Sequence, residues 1–329
     1  MTLVVERDGL TLRRVLRSFR DLPFLPCSLA ERGYPGLAFQ PGMILWGKAI
    51  GAALGAATAK CLLRRRQDVF MPAATFASLL LRPGDVFVDV GAHDGLISLL
   101  AAHAVGNSGC VYSFEPNPDA FARLQCICRA YGLAQVHCEN CAVGAAEGTA
   151  VLYVPADATG ATLSEQASLA AGATHQPCRV CTLDVFWQER SIVGSPTLLK
   201  IDVEGAELDV LTGAKTLLAS ETAPMVIFEA SDANASTFGR TVDQVLNFLA
   251  PFGYRFWTLR HPHLIPVARS TEINLSQNPD FWTDVLALNP KLHASRLDVL
   301  RSRFSVGESP ISIQDSHVAE GRTFVGSNI

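Results

Sequence analysis

The sequence has no glycine pair of the G-x-G-x-x-G kind. The turn nearest to one reads Asp89-Val90-Gly91-Ala92-His93-Asp94-Gly95, with histidine at position 93. A tight glycine pair admits a pyrophosphate, so its absence argues against a dinucleotide. A basic field is missing too: 27 Lys and Arg against 31 Asp and Glu give a net charge of −4 over 329 residues. Nucleic acid is therefore not expected as a main partner. No basic segment leads into an apolar run at the N-terminus, which argues against a secretory signal. No apolar run makes a clean membrane span: residues 43–63 are interrupted by Lys48 and Lys60, and the core 49–59 falls short of the ~18–20 residues required. There is no internal repeat. Nine cysteines lie scattered through strand- and helix-like segments, the pattern of a reduced cytosolic protein rather than a disulfide framework.

What is present is an alternation of strands and helices, the signature of a largely parallel sheet with helices on both faces. Residues 86–90, 110–115, 135–139, 198–201, 225–228, 254–259 and 281–288 read as strands. Leu96, Leu99, Leu100 and Ala104 mark one face of a first helix, and 119–131 forms the next, with Asn117 or its neighbour as N-cap. One helix after residue 205 buries Val210, Leu211, Ala214, Leu217 and Leu218. Residues 149–154 and 179–183 read as strands flanking a Gly/Ala/Ser-rich loop, 156–174, and 242–249 as a helix. The domain is expected over 68–290. Before it, 1–67 is a partly helical extension. After it, 291–329 is a polar, partly disordered tail. Within the extension, Leu12, Val15, Leu16 and Phe19 alternate with Arg13, Arg14, Arg17 and Arg20. A peripheral membrane helix is one reading, while Arg64-Arg65-Arg66 would be the positive-inside flank of a span at 43–63. A flanking helix with a solvated arginine face is preferred.

A buried strand, a glycine turn and a helix bring backbone N–H groups to one sheet edge, where a nucleoside approaches closely. Glu115 lies about 20 residues beyond the turn, where an acid at the next strand tip accepts ribose hydroxyls. Asp89, read as standing at the mouth, favours a cationic ligand over a phosphate. S-adenosylmethionine meets these conditions. In Leu198-Leu199-Lys200-Ile201-Asp202-Val203-Glu204-Gly205-Ala206-Glu207 a lysine inside an apolar strand demands a partner, and period two puts Asp202 on its face. Glu229 closes the following strand, so Asp202, Glu204 and Glu229 are expected to converge at one rim. Helix-dipole complementarity is the plainer reading of Glu204 and Glu207.

These segments, with Phe114-Glu115-Pro116-Asn117-Pro118, Ala142-Val143-Gly144 and Thr182-Leu183-Asp184, occur in an order that resembles the FkbM family of S-adenosylmethionine-dependent methyltransferases. The resemblance covers roughly 68–289. It implies a Rossmann-like methyltransferase sheet whose last strand is reversed, and O-methylation of hydroxyls on sugars, glycans or specialised metabolites. By position, Asp89, Gly91 and Gly95 would line the methionine part of the cofactor, His93 would contact it or cap the turn, Glu115 would hold the ribose hydroxyls, Asn117 is a further cofactor-binding candidate, and Asn140, Cys141 and Ala142 would lie near the adenine. Asp202 would stand where the methyl group is delivered. Position 93 is often Asn in this pattern.

Glu229 and His261, on a loop after a strand, are further candidates for the catalytic base. A divalent metal held by Asp202, Glu204 and Glu229 is an alternative, not favoured, because capping and the Lys200 pair already explain those acids. Cys138-x-x-Cys141 and Cys178-x-x-Cys181 have zinc-like spacing, but i and i+3 on a strand face opposite ways, so they read as buried small hydrophobes. Two other functional classes remain open: an NAD-dependent oxidoreductase with an irregular turn, and a catalytically silent interaction protein. The acceptor and the oligomeric state are not legible.

Overall fold

Val86–Val90, strand β1, is a run of β-branched and aromatic residues broken by one acid, Asp89. It lies inside a nine-stranded sheet. The computed structural model describes residues 72–155, 160–166, 173–260, 263–273 and 282–306. On one side of β1 lie β2 (Cys110–Phe114) and β3 (Val136–Glu139). On the other follow β7 (Leu198–Ile201), β8 (Met225–Ala230), β11 (Thr283–Leu288), β9 (Arg255–Arg260), β10 (His263–Val267) and β12 (Ser305–Val306). β1, β2, β3, β7 and β8 pair in parallel. β11 is the expected reversed strand, antiparallel to both neighbours.

Two layers of helices cover the sheet. On one face pack α1 (Pro72–Leu80), α2 (Leu96–Val105) and α10 (Ala294–Arg303), with Phe76, Leu80, Ala101, Val105, Leu297 and Leu300 buried against Phe87, Leu198 and Ile227. On the other pack α4 (Leu183–Glu189), α5 (Glu207–Thr212), α6 (Lys215–Leu218) and α8 (Val242–Leu249), against Val88, Ile201 and Phe228. Between β2 and β3 runs α3 (Pro118–Ala130), capped by Asn117 as expected. A short helix, α7 (Asp232–Ser236), follows β8, and another, α9 (Ser270–Ile273), follows β10. A separate three-stranded sheet, β4 (Ala142–Val143), β6 (Thr174–Cys181) and β5 (Gly148–Val154), is inserted between β3 and α4.

Several local expectations are corrected. The single helix after residue 205 is two, although all five predicted positions are buried. It breaks at Gly213, where a Cβ would stand 2.1 Å from Gly144 O. The strand expected at 179–183 ends at Cys181, because Thr182 caps α4 by accepting from Val185 N. On α2 the residues fully buried are Ile97, Ser98, Leu99, Ala101, Ala102 and Val105, while Leu96, Leu100 and Ala104 are only partly covered. That helix packs on both α1 and the sheet, so small residues, not the leucine row, take the closest approach. The expected tail contains α10 and β12, which pairs with β10. Of the expected loop, the part at 160–166 is tied down: Tyr153 and Thr162 exchange backbone bonds of 2.8 and 2.9 Å, and Ser164 Oγ donates to Thr237 O at 2.9 Å. The readings of residues 1–67 lie outside the described residues. No helix among those described is long and apolar enough to cross a membrane.

Candidate functional site

The carboxyl ends of β1, β2, β7 and β8 meet at one sheet edge, and the chain leaves each in a sharp turn. After β1, Gly91 and Ala92 both donate to Phe114 O at 3.0 Å. Gly91 has φ +75°, and a Cβ there would stand 1.8 Å from Asp202 O, so only glycine fits. Gly95, at φ +87°, lies against Leu124 of α3 in the same way. His93 is also left-handed, at φ 50°. Asn, Asp and His enter that region more readily than other side chains, which explains how histidine replaces the usual Asn.

Glu115 follows β2, and its carboxylate is turned toward this loop. Oε2 accepts from His93 N at 2.7 Å and Oε1 from Asn117 N at 2.8 Å. Burial pushes the Glu115 pKa up, and the two N–H bonds act against that shift. A carboxylate has about four acceptor sites, and among the described residues two of them are taken. Asn117 is buried, and its Oδ1 accepts from Asp119 N at 3.1 Å. It is a helix cap that reaches the site only through its N–H on Glu115. Asn140 Nδ2 donates to Glu115 O at 2.8 Å and Pro116 O at 3.2 Å. Its amide therefore ties the tip of β3 to that of β2. Ala142 is buried with Leu152 and Cys178 in the core of the small sheet.

Asp89 is not at the mouth: it is 0% exposed. Strand alternation turns it to the face covered by α1 and α2, where Ser98 Oγ donates to its Oδ2 at 2.6 Å. Lys200 Nζ stands 3.2 Å from Asp89 Oδ1, 3.3 Å from Asp202 Oδ2 and donates to Gly91 O at 2.8 Å. Burial alone would lower the Lys200 pKa, but Asp202 and Asp89 together outweigh it and leave it raised. One lysine thus fastens the glycine turn, the strand acid behind it and the acid at the rim.

That rim acid, Asp202, is 39% exposed. Beyond it Glu204 is left-handed, at φ 57°, and accepts from Asn234 Nδ2 at 2.8 Å, while Glu229 Oε2 accepts from the same amide at 3.1 Å. Desolvation, then Asp202 and Glu204, raise the Glu229 pKa to about 9. Glu204 is raised as well, first by burial and then by Asp202. Glu207, the first residue of α5, accepts from Val203 N at 3.3 Å and Gly205 N at 3.1 Å and so closes the loop before the helix. Among the described residues, no group of three His, Cys, Asp or Glu side chains is placed to hold a metal ion. Asp202, Glu204 and Glu229 share a rim without forming a ligand set, since Asn234 bridges two of them.

Sequence reasoning missed three residues. Asn234 gave no local signal. Ser98 lay outside the face marked by Leu96, Leu99, Leu100 and Ala104 and was not singled out. Asp284, a lone acid in a buried strand like Lys200 in its own, was visible; it accepts from Ala73 N at 2.7 Å. His261 lies outside the described residues. His263 opens β10 and is exposed, three strands from β8. Cys141 Sγ is 3.4 Å from Cys181 Sγ, across the two motifs, while Cys138 Sγ lies 3.8 Å from Cys128 Sγ, outside them. The Thr182-Leu183-Asp184 motif is a staple, because Asp184 accepts from Thr216 N and Leu217 N at the start of α6.

Comparison with known proteins adds the following. The model of the methyltransferase FkbM domain matches residues 89–256, about half the chain. Hexuronic acid methyltransferase AglP of Haloferax volcanii is 30% identical over 169 residues, 48% of this chain; the match spans 60% of that protein's length. A solved methyltransferase FkbM from Methylobacillus flagellatus KT is 22% identical, over 66% of this chain and 47% of its own, with a TM-score of 0.42. Aeropyrum pernix fibrillarin, solved with natively bound S-adenosyl-L-methionine, is 14% identical over 66% of this chain and 73% of its own, with a TM-score of 0.35.

Proposed function

The chain belongs to the FkbM methyltransferase domain family, and on that premise we propose that it moves a methyl group from S-adenosylmethionine to a hydroxyl of a sugar, glycan or specialised metabolite. The observation that carries this reading is Glu115, whose carboxylate faces the glycine turn with, among the described residues, two of its about four acceptor sites taken. The donor set suits the cofactor: an acid for the ribose diol, and the exposed Asp202 at the rim where the methyl group would be delivered. Glu115 would hold the cofactor's ribose hydroxyls. When bound, S-adenosylmethionine supplies an electrophilic methyl group on a sulfonium. The name of the Haloferax relative supports the sugar side of the proposal.

The chain's own residues then have distinct tasks. Asp202, steadied by Lys200, takes the proton that the acceptor hydroxyl loses as its oxygen bonds to the methyl carbon. General-base help of this kind contributes roughly 10²–10⁴-fold. Glu229, with its pKa pushed to about 9, holds a proton at neutral pH and serves as a hydrogen-bond donor to the acceptor. That assigns the two acids opposite roles.

Ligand-dependent melting tests the reading. S-adenosylhomocysteine should raise the melting temperature, with stabilisation of about 2.7 kcal/mol at a hundred times its Kd, and NAD should leave it unchanged. Stabilisation by NAD alone, or by neither nucleoside, refutes it.

A further inference from the structure

We propose that Cys141 and Cys181 are a redox-sensitive thiol pair whose oxidation to a disulfide loosens the cofactor site. The inference rests on the reading of Glu115 as the ribose ligand. The two sulfurs are 3.4 Å apart, so a bond of about 2.0 Å needs the gap to close by about 1.4 Å. Both thiols are free. They join the two ends of the small inserted sheet: Cys141 immediately precedes β4, and Cys181 is the last residue of β6.

One sulfur is prepared to react. Arg179 donates to Cys141 Sγ at 3.3 Å, and Cys181 supplies the neighbouring thiol. With Cys181 as the larger influence and Arg179 as a further one, the Cys141 pKa is lowered, while that of Cys181 is raised. The Arg179 contact marks Cys141 as the sulfur that attacks and leaves Cys181 as the thiol that resolves. Both cysteines are buried, Cys141 at 0% and Cys181 at 2% exposure, so the oxidant reaches them when the half-exposed Arg179 side chain that covers Cys141 swings aside. With a peroxide as oxidant, the Cys141 thiolate attacks one peroxide oxygen, giving a sulfenic acid and hydroxide. Cys181 then displaces the sulfenic oxygen as water. Two thiols and one peroxide yield one disulfide and two waters.

Closing the bond must move the backbone. The register sets Val143, not Cys141, opposite Cys181, so the new bond draws Cys141 along the strand direction. The residue before it, Asn140, holds Glu115 O and Pro116 O through its amide. A pull on Cys141 thereby reaches the carboxylate that supports His93 N. The other close pair, Cys128 and Cys138, lies between α3 and β3 and has no such connection.

The experiment treats the purified full chain with hydrogen peroxide, maps its peptides, and measures S-adenosylhomocysteine affinity by calorimetry before oxidation, after it, and after dithiothreitol. The expected result is a Cys141–Cys181 disulfide, affinity lowered about tenfold, and recovery on reduction. Cys181→Ser should keep its affinity through the same treatment. If that variant fails to fold, the reversal in the native chain carries the test. The proposal is overturned if exposed Cys126 oxidises while Cys141 and Cys181 stay reduced, if only Cys128–Cys138 forms, or if the disulfide forms with affinity unchanged. If the reduced protein does not bind S-adenosylhomocysteine at all, the cofactor reading has failed instead, and the peptide map still decides whether the thiols pair.

Discussion

Replacing Lys200 by methionine should unsettle both the fold and the site, and the size of the effect follows from where its partners lie. Methionine keeps the length of the side chain and removes the charge. Asp202 is 39% exposed and would be rehydrated, but Asp89 is 0% exposed and would keep only the Ser98 hydroxyl. Gly91 O would lose its donor as well. Removing one member of a buried ion pair costs about 3–5 kcal/mol, because the other charge is stranded. For a domain of this size each kcal/mol shifts the melting temperature by about 2–4 °C, giving a fall of roughly 6–20 °C. Urea unfolding followed by circular dichroism, with calorimetric melting, measures it. The double variant Asp89→Asn, Lys200→Met should recover most of the loss, since no buried charge is left. A single variant within about 1 kcal/mol of the native protein, or a double variant as unstable as the sum of the singles, would refute the reasoning.

Three further outcomes follow from the same geometry. Glu115→Ala should weaken S-adenosylhomocysteine binding by about 1.5–3 kcal/mol, the range for hydrogen bonds to a charged group; unchanged affinity by calorimetry would remove Glu115 from the site. Asp202→Asn should retain the fold and most cofactor affinity yet abolish most turnover, and near-normal turnover on the true acceptor would send the search for the base elsewhere. Glu229 binds a proton more tightly folded than unfolded, so its contribution to stability is full below the unfolded carboxylate pKa and is lost as pH rises toward about 9. Glu229→Gln should flatten that decline between pH 5 and 9 in denaturation series, and an unaltered slope would contradict the raised pKa.

Local chemistry was legible where local pattern decides it. Period two put Lys200 and Asp202 on one face, and the turn chemistry of Asn117 announced the cap of α3. The five apolar positions after residue 205 are all buried, although the helix itself breaks at Gly213 for a reason 69 residues away in sequence, the carbonyl of Gly144. The placement of Asp89 was misread because its position in the chain suggested a mouth, while alternation with the buried Phe87 already assigned it to the covered face. Asn140 and Ala142 were placed by resemblance, and only the packing of the inserted sheet shows what their side chains touch. Asn234 was out of reach, because its meaning depends on two carboxylates that come together through the turn after β7 and the end of β8.

The clasp between the two ends of the domain bears on how the chain is made. Ala73 N reaches Asp284 across 211 residues, and Arg296 returns to Leu80 O and Asp85. Among the described elements, α1 meets α2 and then β7, but its contacts with β11 and α10 wait until those elements follow. At about 5–20 residues per second the wait is roughly 10–45 s. Throughout it the apolar face of Phe76, Ala77 and Leu80 lacks its final cover. Shortening the chain to end at residue 290 would make that exposure permanent, so the last thirty-odd residues that look expendable include the piece that completes folding.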